Sequence, residues 1–334
     1  MSTLAEMFSS PLMQRALIAA VVVGLAAPVM GTYLVQRRLS LLGDGIGHVA
    51  LTGVAAGWLV GNAMSLTPHD ALAIPGAVVA AVIGALAIDV VRARGRTSGD
   101  VALALLFYGG IAGGVLIIGL AGGTTANLMG YLFGSIATVS TSDLVQIVIL
   151  GALVLGVGIG LRPALFAVSH DEEFARSLGL PVRLLNMMIA IVAALTVTVA
   201  MRVVGLLLVS AIMILPVAIS QQVATSFRAT MRLAMGVGVL VCVSGLVITY
   251  FRALSPGAVI VCLAIAVYAG VAAVRPLLVN RSRARGAQAA FDPHPDHPDD
   301  VLVAGMPGPG AHAPGTAAGS TDDSTAARGT TARE

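Results

Sequence analysis

The sequence predicts an all-α polytopic membrane protein, and three observations carry that prediction. Of 334 residues, 57% are hydrophobic and only 10% are charged, whereas a soluble domain carries about a quarter charged residues. Apolar runs of 18 residues or more recur along the chain, each long enough to cross a bilayer as a helix. Basic residues fall in alternate loops between those runs, as they do when one side of a membrane is favoured for positive charge. The mean hydropathy of +0.95 agrees. The net charge of +3 sits in short loops, so it speaks to membrane orientation and gives no reason to expect nucleic acid.

Nine apolar segments are expected, at 14–36, 41–61, 71–91, 100–120, 141–161, 184–201, 203–223, 231–251 and 256–275. Eight crossings are also compatible, because 184–223 need not form two clean passes. Arg37 and Arg38 follow the first segment, and Arg92, Arg94 and Arg96 the third. Arg162, Arg176 and Arg183 follow the fifth, Arg228 and Arg232 the seventh, and Arg275, Arg281, Arg283 and Arg285 the ninth. The loops at 61–70 and 121–140 contain no Lys or Arg. The positive-inside rule therefore puts the N-terminus outside, the C-terminus in the cytoplasm, and an odd number of crossings between them. Residues 1–13 form a short leading segment without the basic start and apolar core of a cleavable signal peptide. Residues 14–275 form the membrane domain, with a cytoplasmic loop at 162–183. From 276 to 334 the composition turns to Pro, Gly, Ala, Thr and Asp, which predicts a disordered cytoplasmic tail.

Glycines at four-residue spacing (Gly43/Gly47, Gly53/Gly57/Gly61, Gly109/Gly113 and Gly156/Gly160) predict close helix approach in lipid. Cys242 and Cys262 lie within apolar segments and read as packing residues. Residues 121–140 are too glycine-broken to cross and predict a short external helix.

Polar residues inside the apolar runs carry the functional information. The second segment contains Asp44 and His48 in its first half. Four residues apart on a helix, the two side chains project about 40° apart around the axis. A carboxylate at bilayer depth costs about 3 kcal/mol or more unless it faces a partner or a water-filled path. Asp with His is also the start of a ligand set for a divalent metal. Two readings stay open: Asp44 as a cap for a helix beginning near Leu42, with His48 a hydrogen-bonded packing residue, or both as donors to a passing ion. Two donors are too few to hold a metal tightly, which suits transport, and a homodimer would bring two such pairs towards one axis.

The loop FAVSHDEEFARSLGLPVRLL is the second informative stretch. Asp171, Glu172, Glu173, Phe174, Ala175, Leu178 and Leu180 predict a short amphipathic helix ended by Gly179 and Pro181. Its acids lie at the N-terminus, where they complement the helix dipole.

The runs RRLSLLGDGIGHVALTGVAAG, YLFGSI, DEEFARSLGLPVRLLN and RVVGLLLVSAIMILPVAIS resemble the ABC-transporter permeases for zinc, manganese, iron and related divalent metals. The resemblance spans most of 14–275, and Gly-Asp-x-x-x-His occurs together with an acid–Ala–x-x-x–Gly loop. It implies a homodimeric permease of cobalamin-transporter type in a bacterial plasma membrane. It further implies a cytoplasmic ATPase dimer and an extracytoplasmic metal-binding protein as partners. Asp44 and His48 match the family's intramembrane metal pair, while Asp171, Glu172, Glu173, Ala175 and Gly179 lie on its coupling helix. The metal is cargo, so no permanently bound cofactor is expected, and zinc ranks before manganese. Before YLFG the family often has acidic and His or other polar residues, where this chain has Asn127 and Gly130.

Met201 and Arg202, between two apolar runs, read either as an interfacial turn with a snorkelling arginine or as an external gate beside a carboxylate such as Asp44. Pro216 should kink the seventh segment. In the tail, FDPHPDHPDD brings together Asp292, His294, Asp296, His297, Asp299 and Asp300, a composition that binds metal loosely or is merely solvated. The chain has no G-x-x-x-x-G-K-[ST] phosphate loop, so ATP hydrolysis would belong to a separate polypeptide. An intramembrane metalloenzyme would need a closed ligand set such as H-E-x-x-H, and none occurs. An ion-driven secondary transporter remains the alternative, but it gives the 171–181 loop no task.

Overall fold

A computed structural model describes residues 9–66, 71–94, 99–122, 130–134, 140–252 and 254–289, with the backbone alone for 89, 92–94, 99–100, 202, 207 and 276–289. Every regular element in them is helical: α1 (Pro11–Gln36), α2 (Leu42–Ala63), α3 (Ala73–Arg94), α4 (Gly99–Leu120), α5 (Thr141–Gly160), α6 (Arg162–His170), α7 (Glu172–Ser177), α8 (Val182–Val204), α9 (Val209–Gln221), α10 (Phe227–Phe251) and α11 (Pro256–Ala289). Eight of the nine predicted segments each fall on one helix; the seventh, 203–223, begins at the end of α8 and crosses a break before α9. Seven are long and apolar enough to cross a membrane, and two described apolar stretches, Ala73–Ile88 and Val209–Gln221, are shorter.

Burial sorts the helices into an interior and a rim. The apolar windows of α1 and α8 are 72% buried, whereas those of α4 and α11 are 22% and 17% buried. Leu105 and Leu116 on α4 and Ile149 on α5 point outward, as lipid-facing side chains do when backbone polar groups are satisfied within the helix. α1 packs against α5, α8, α9 and α10, and α2 lies between α3 and α4. The side chains at these seams are small: a β-carbon on Gly53 or Gly57 would strike the Gly76 or Leu72 carbonyl. On α4 and α5 the expected glycines are only partly the contact points. Gly113 meets Thr52 of α2 as expected, and Gly110, Gly151 and Gly158 also meet neighbouring helices, while Gly109, Gly156 and Gly160 have open space beside them. A four-residue spacing identifies a stripe of glycine but carries no information on which neighbour it faces.

The 184–223 region is one long helix, a break and a half-length helix. Gly205 ends α8 at φ +88, a left-handed conformation open to glycine at little cost. A β-carbon there would overlap the backbone of Phe133 and Gly134. A 3-10 turn, Leu206–Leu208, leads into α9, whose 13 residues span about 20 Å, short of the roughly 30 Å of a bilayer core. Pro216 lies inside α9 and Pro28 inside α1. Elsewhere local chemistry sets the helix starts: Ser140 and Asp143 form a capping box at α5, and the Ser226 hydroxyl accepts from the Ala229 N–H at α10. Helix α11 continues to Ala289, beyond the segment predicted to end at 275. The acidic and histidine-rich tail residues, Asn127, and most of the predicted external helix lie outside the described residues.

Candidate functional site

Helix α2 begins at Leu42 without any side-chain cap. Asp44 is in its first turn, and its Oδ1 accepts a hydrogen bond from the Ser210 hydroxyl at 3.1 Å. The capping alternative for Asp44 therefore gives way to a tertiary role: the carboxylate faces α9. The seam is close because Gly43 leaves room for Ser210 Oγ and Met213 Sδ, both 3.5 Å from where its β-carbon would stand, and Gly47 does the same for Leu206.

His48 is 3% exposed. Its ring meets the edge of Phe107 at a centroid distance of 4.2 Å, and the Gly110 backbone lies against its own main chain. Its Nδ1 is buried and has no hydrogen-bond partner. Buried polar atoms are nearly always paired; on this helix His48 Nδ1 and the indole Nε1 of Trp58 are the exceptions, and His48 is the one that shares a turn with a carboxylate. Together the two side chains offer an oxygen and a nitrogen donor on neighbouring surface of one helix. Among the described residues no group of three or more His, Cys, Asp or Glu side chains forms a closed cluster. Asp44 and His48 therefore stand as a pair, without a third such side chain beside them among the described residues.

The 162–183 loop folds as two short helices set at a corner. Asp171 is the N-cap of α7: its Oδ1 accepts the backbone N–H groups of Glu173 and Phe174, both at 2.9 Å. Glu172 and Glu173 occupy the first turn and Arg176 the last, each favourable to the helix dipole. Gly179 then turns the chain at φ +77, with its N–H on the Arg176 carbonyl and that of Leu180 on the Ala175 carbonyl, the αL ending expected of glycine. Ala175 is wholly buried, while Phe174 and Leu178 are 59% and 60% exposed. An open hollow lined by Arg176, Pro181, Val182, Arg183, Leu184 and Met187 lies beside them.

Met201 is buried in the last turns of α8. The Arg202 side chain lies outside the described residues, so the partner that the structure gives Asp44 is Ser210. Sequence reasoning missed Ser210, Phe107, Arg37 and Asn186. Ser210 and Phe107 sit in unremarkable apolar runs with no spacing signal, and Arg37 registered only as a topology charge.

A multi-pass helical bundle with an ionisable pair inside it and a capped helix projecting from one end has the form of a membrane transport subunit. Residues 9–275 match the ABC 3 transport family, and the chain belongs to that family as a permease subunit. It is 30% identical over 264 residues to the manganese transport system membrane protein MntC of Halalkalibacterium halodurans, covering 79% of this chain and 87% of that one. It is 30% identical over 249 residues to the chelated iron transport system membrane protein YfeD of Yersinia pestis, covering 75% and 80%. Among solved structures, PsaBC from Streptococcus pneumoniae in complex with Fab superimposes with a TM-score of 0.70 at 28% identity, covering 80% of this chain and 95% of that one.

Proposed function

We propose that the chain is the permease of an ATP-driven importer of a divalent transition metal, with Asp44 and His48 as the metal-handling pair. The observation that carries the reading is the buried, unpartnered Nδ1 of His48 one helical turn from a Ser210-bound carboxylate. A carboxylate and an imidazole suit zinc, manganese or iron, and affinity alone ranks these poorly. The relatives reported above are named for manganese and chelated iron, which moves manganese ahead of zinc as the cargo to test first.

Helix α7 is the coupling element in this reading. Its exposed Phe174 and Leu178 dock on a cytoplasmic ATPase dimer, and an extracytoplasmic binding protein delivers metal to the opposite end. Two copies of the chain pair across the pathway and complete the coordination that one copy leaves open. The secondary-transport alternative gives α7 no task. The deciding measurement is uptake of manganese, iron and zinc by cells carrying Asp44→Asn or His48→Ala. Uptake of the native cargo should fall at least tenfold with the protein still in the membrane. Normal import by both variants overturns the assignment.

A further inference from the structure

Arg37, Glu172 and Asn186 form a closed triangle at the end of the bundle that carries α7. Arg37 lies just after α1, and its Nη2 donates both to Glu172 Oε1 and to Asn186 Oδ1, the latter at 2.7 Å. Asn186 Nδ2 donates to the same Glu172 Oε1 at 3.1 Å. One residue earlier, Gln36 Nε2 and His170 Nδ1 are 3.1 Å apart. The end of α1 therefore grips both sides of the α6–α7 corner and the first turns of α8.

An isolated exposed ion pair would hold little. Here the Arg37 side chain is only 12% exposed, and a shared amide ties its partner in place, so the three groups satisfy one another as a network. The Glu172 carboxylate is then fixed by tertiary contacts, whereas Asp171 next to it is consumed in capping α7. The two neighbouring acids have different tasks.

From this clasp a chain of direct contacts leads to the Asp44 site. Gly31, on α1 just before the clasp, lies so close to α9 that a β-carbon would overlap the Met213 carbonyl oxygen. The same α9 presents Ser210 to Asp44. Helix α1 thus touches the coupling corner at its end and the metal-facing helix along its length, backbone against backbone.

We infer that Arg37, Glu172 and Asn186 are positioning residues that make α1 move with α7, so that ATPase-driven motion of the coupling helix reaches α9 and the Asp44 constriction. This inference rests on the proposed function and adds to it a route through α1. The test reads the coupling itself, as metal moved per ATP.

The experiment uses the full permease with its ATPase in proteoliposomes, supplied with manganese and the binding protein. Metal taken up and ATP hydrolysed are measured for wild type, Arg37→Ala, Glu172→Ala and the charge-exchanged double variant Arg37→Glu/Glu172→Arg. Arg37→Ala, which leaves α7 itself unchanged, should still co-purify with the ATPase and hydrolyse ATP, while metal moved per ATP falls at least fivefold in both single variants. The exchanged pair should recover at least half of the wild-type ratio, which a role in folding alone would not produce. Wild-type ratios in both single variants overturn the clasp, as does a loss of ATPase co-purification that the exchange leaves unrepaired. Asn186→Ala keeps both charges and provides a milder check: an unchanged ratio there, alongside failed repair, likewise overturns it. If the wild type itself moves no divalent metal on ATP, the proposed function has failed, which is a separate result.

Discussion

Ser210 gives the Asp44 carboxylate its only observed hydrogen bond among the described residues, and it does so from a helix far away in sequence. A hydrogen bond to a charged group contributes about 1.5–3 kcal/mol. Ser210→Ala should therefore leave Asp44 less well oriented and raise the metal concentration for half-maximal uptake about tenfold. Protein abundance should stay near wild type, because the serine is small and alanine fits its place. Equal half-maximal concentrations for variant and wild type would remove Ser210 from the site. His48 is built differently. Phe107 packs against its ring and the Gly110 backbone against its main chain, so the imidazole is held by packing, with no hydrogen bond on Nδ1 to orient it.

Among the elements, α7 is the one whose stability depends most on its caps. Its six residues are far too few to hold a helix in water unaided. The Asp171 cap contributes about 1 kcal/mol, and a non-glycine residue at Gly179, with φ +77, costs roughly 1–2 kcal/mol. Asp171→Ala and Gly179→Ala should each weaken co-purification of the ATPase from detergent extracts, and together should abolish it. The membrane helices should persist, since α7 is peripheral to the bundle core. Retention of the full complex by the double variant would show that docking does not use α7. The break at Gly205 is the other element whose form matters. It shortens α9 and lets Ser210, near the start of that helix, meet Asp44 in the first turn of α2.

For the whole molecule, the alternation of basic loops predicts opposite sidedness for the two ends. A reporter fused before α1 and another after residue 289 should respond oppositely to a membrane-impermeant label in intact cells. The same side for both ends would mean an even number of crossings, with 184–223 counting as one. The burial pattern agrees with a protein whose polar groups are gathered inside. α1 and α8 are central, while α4 and α11 turn their Leu, Ile and Val side chains outward. The bundle is thus organised around α1, the helix that reaches both the α6–α7 corner and α9.

Read alone, the sequence determined the class, the helical stretches, the placement of Asp44 and His48 one turn apart on one helix, and the short helix at 172–177 with its acidic start and glycine end. Each is a local signal: hydropathy over a window, a spacing of four residues, a run of acids ended by glycine. The tertiary structure decided what those signals face. It replaced a capping role for Asp44 with a bond to Ser210, chose Gly110 and Gly158 over their neighbours as contact points, and drew Arg37, Glu172 and Asn186 into one network. Such contacts join residues separated by more than a hundred positions, Asp44 with Ser210 and Arg37 with Glu172. Periodicity gives each helix an apolar face and a polar one, but which helix covers that face depends on packing among all of them.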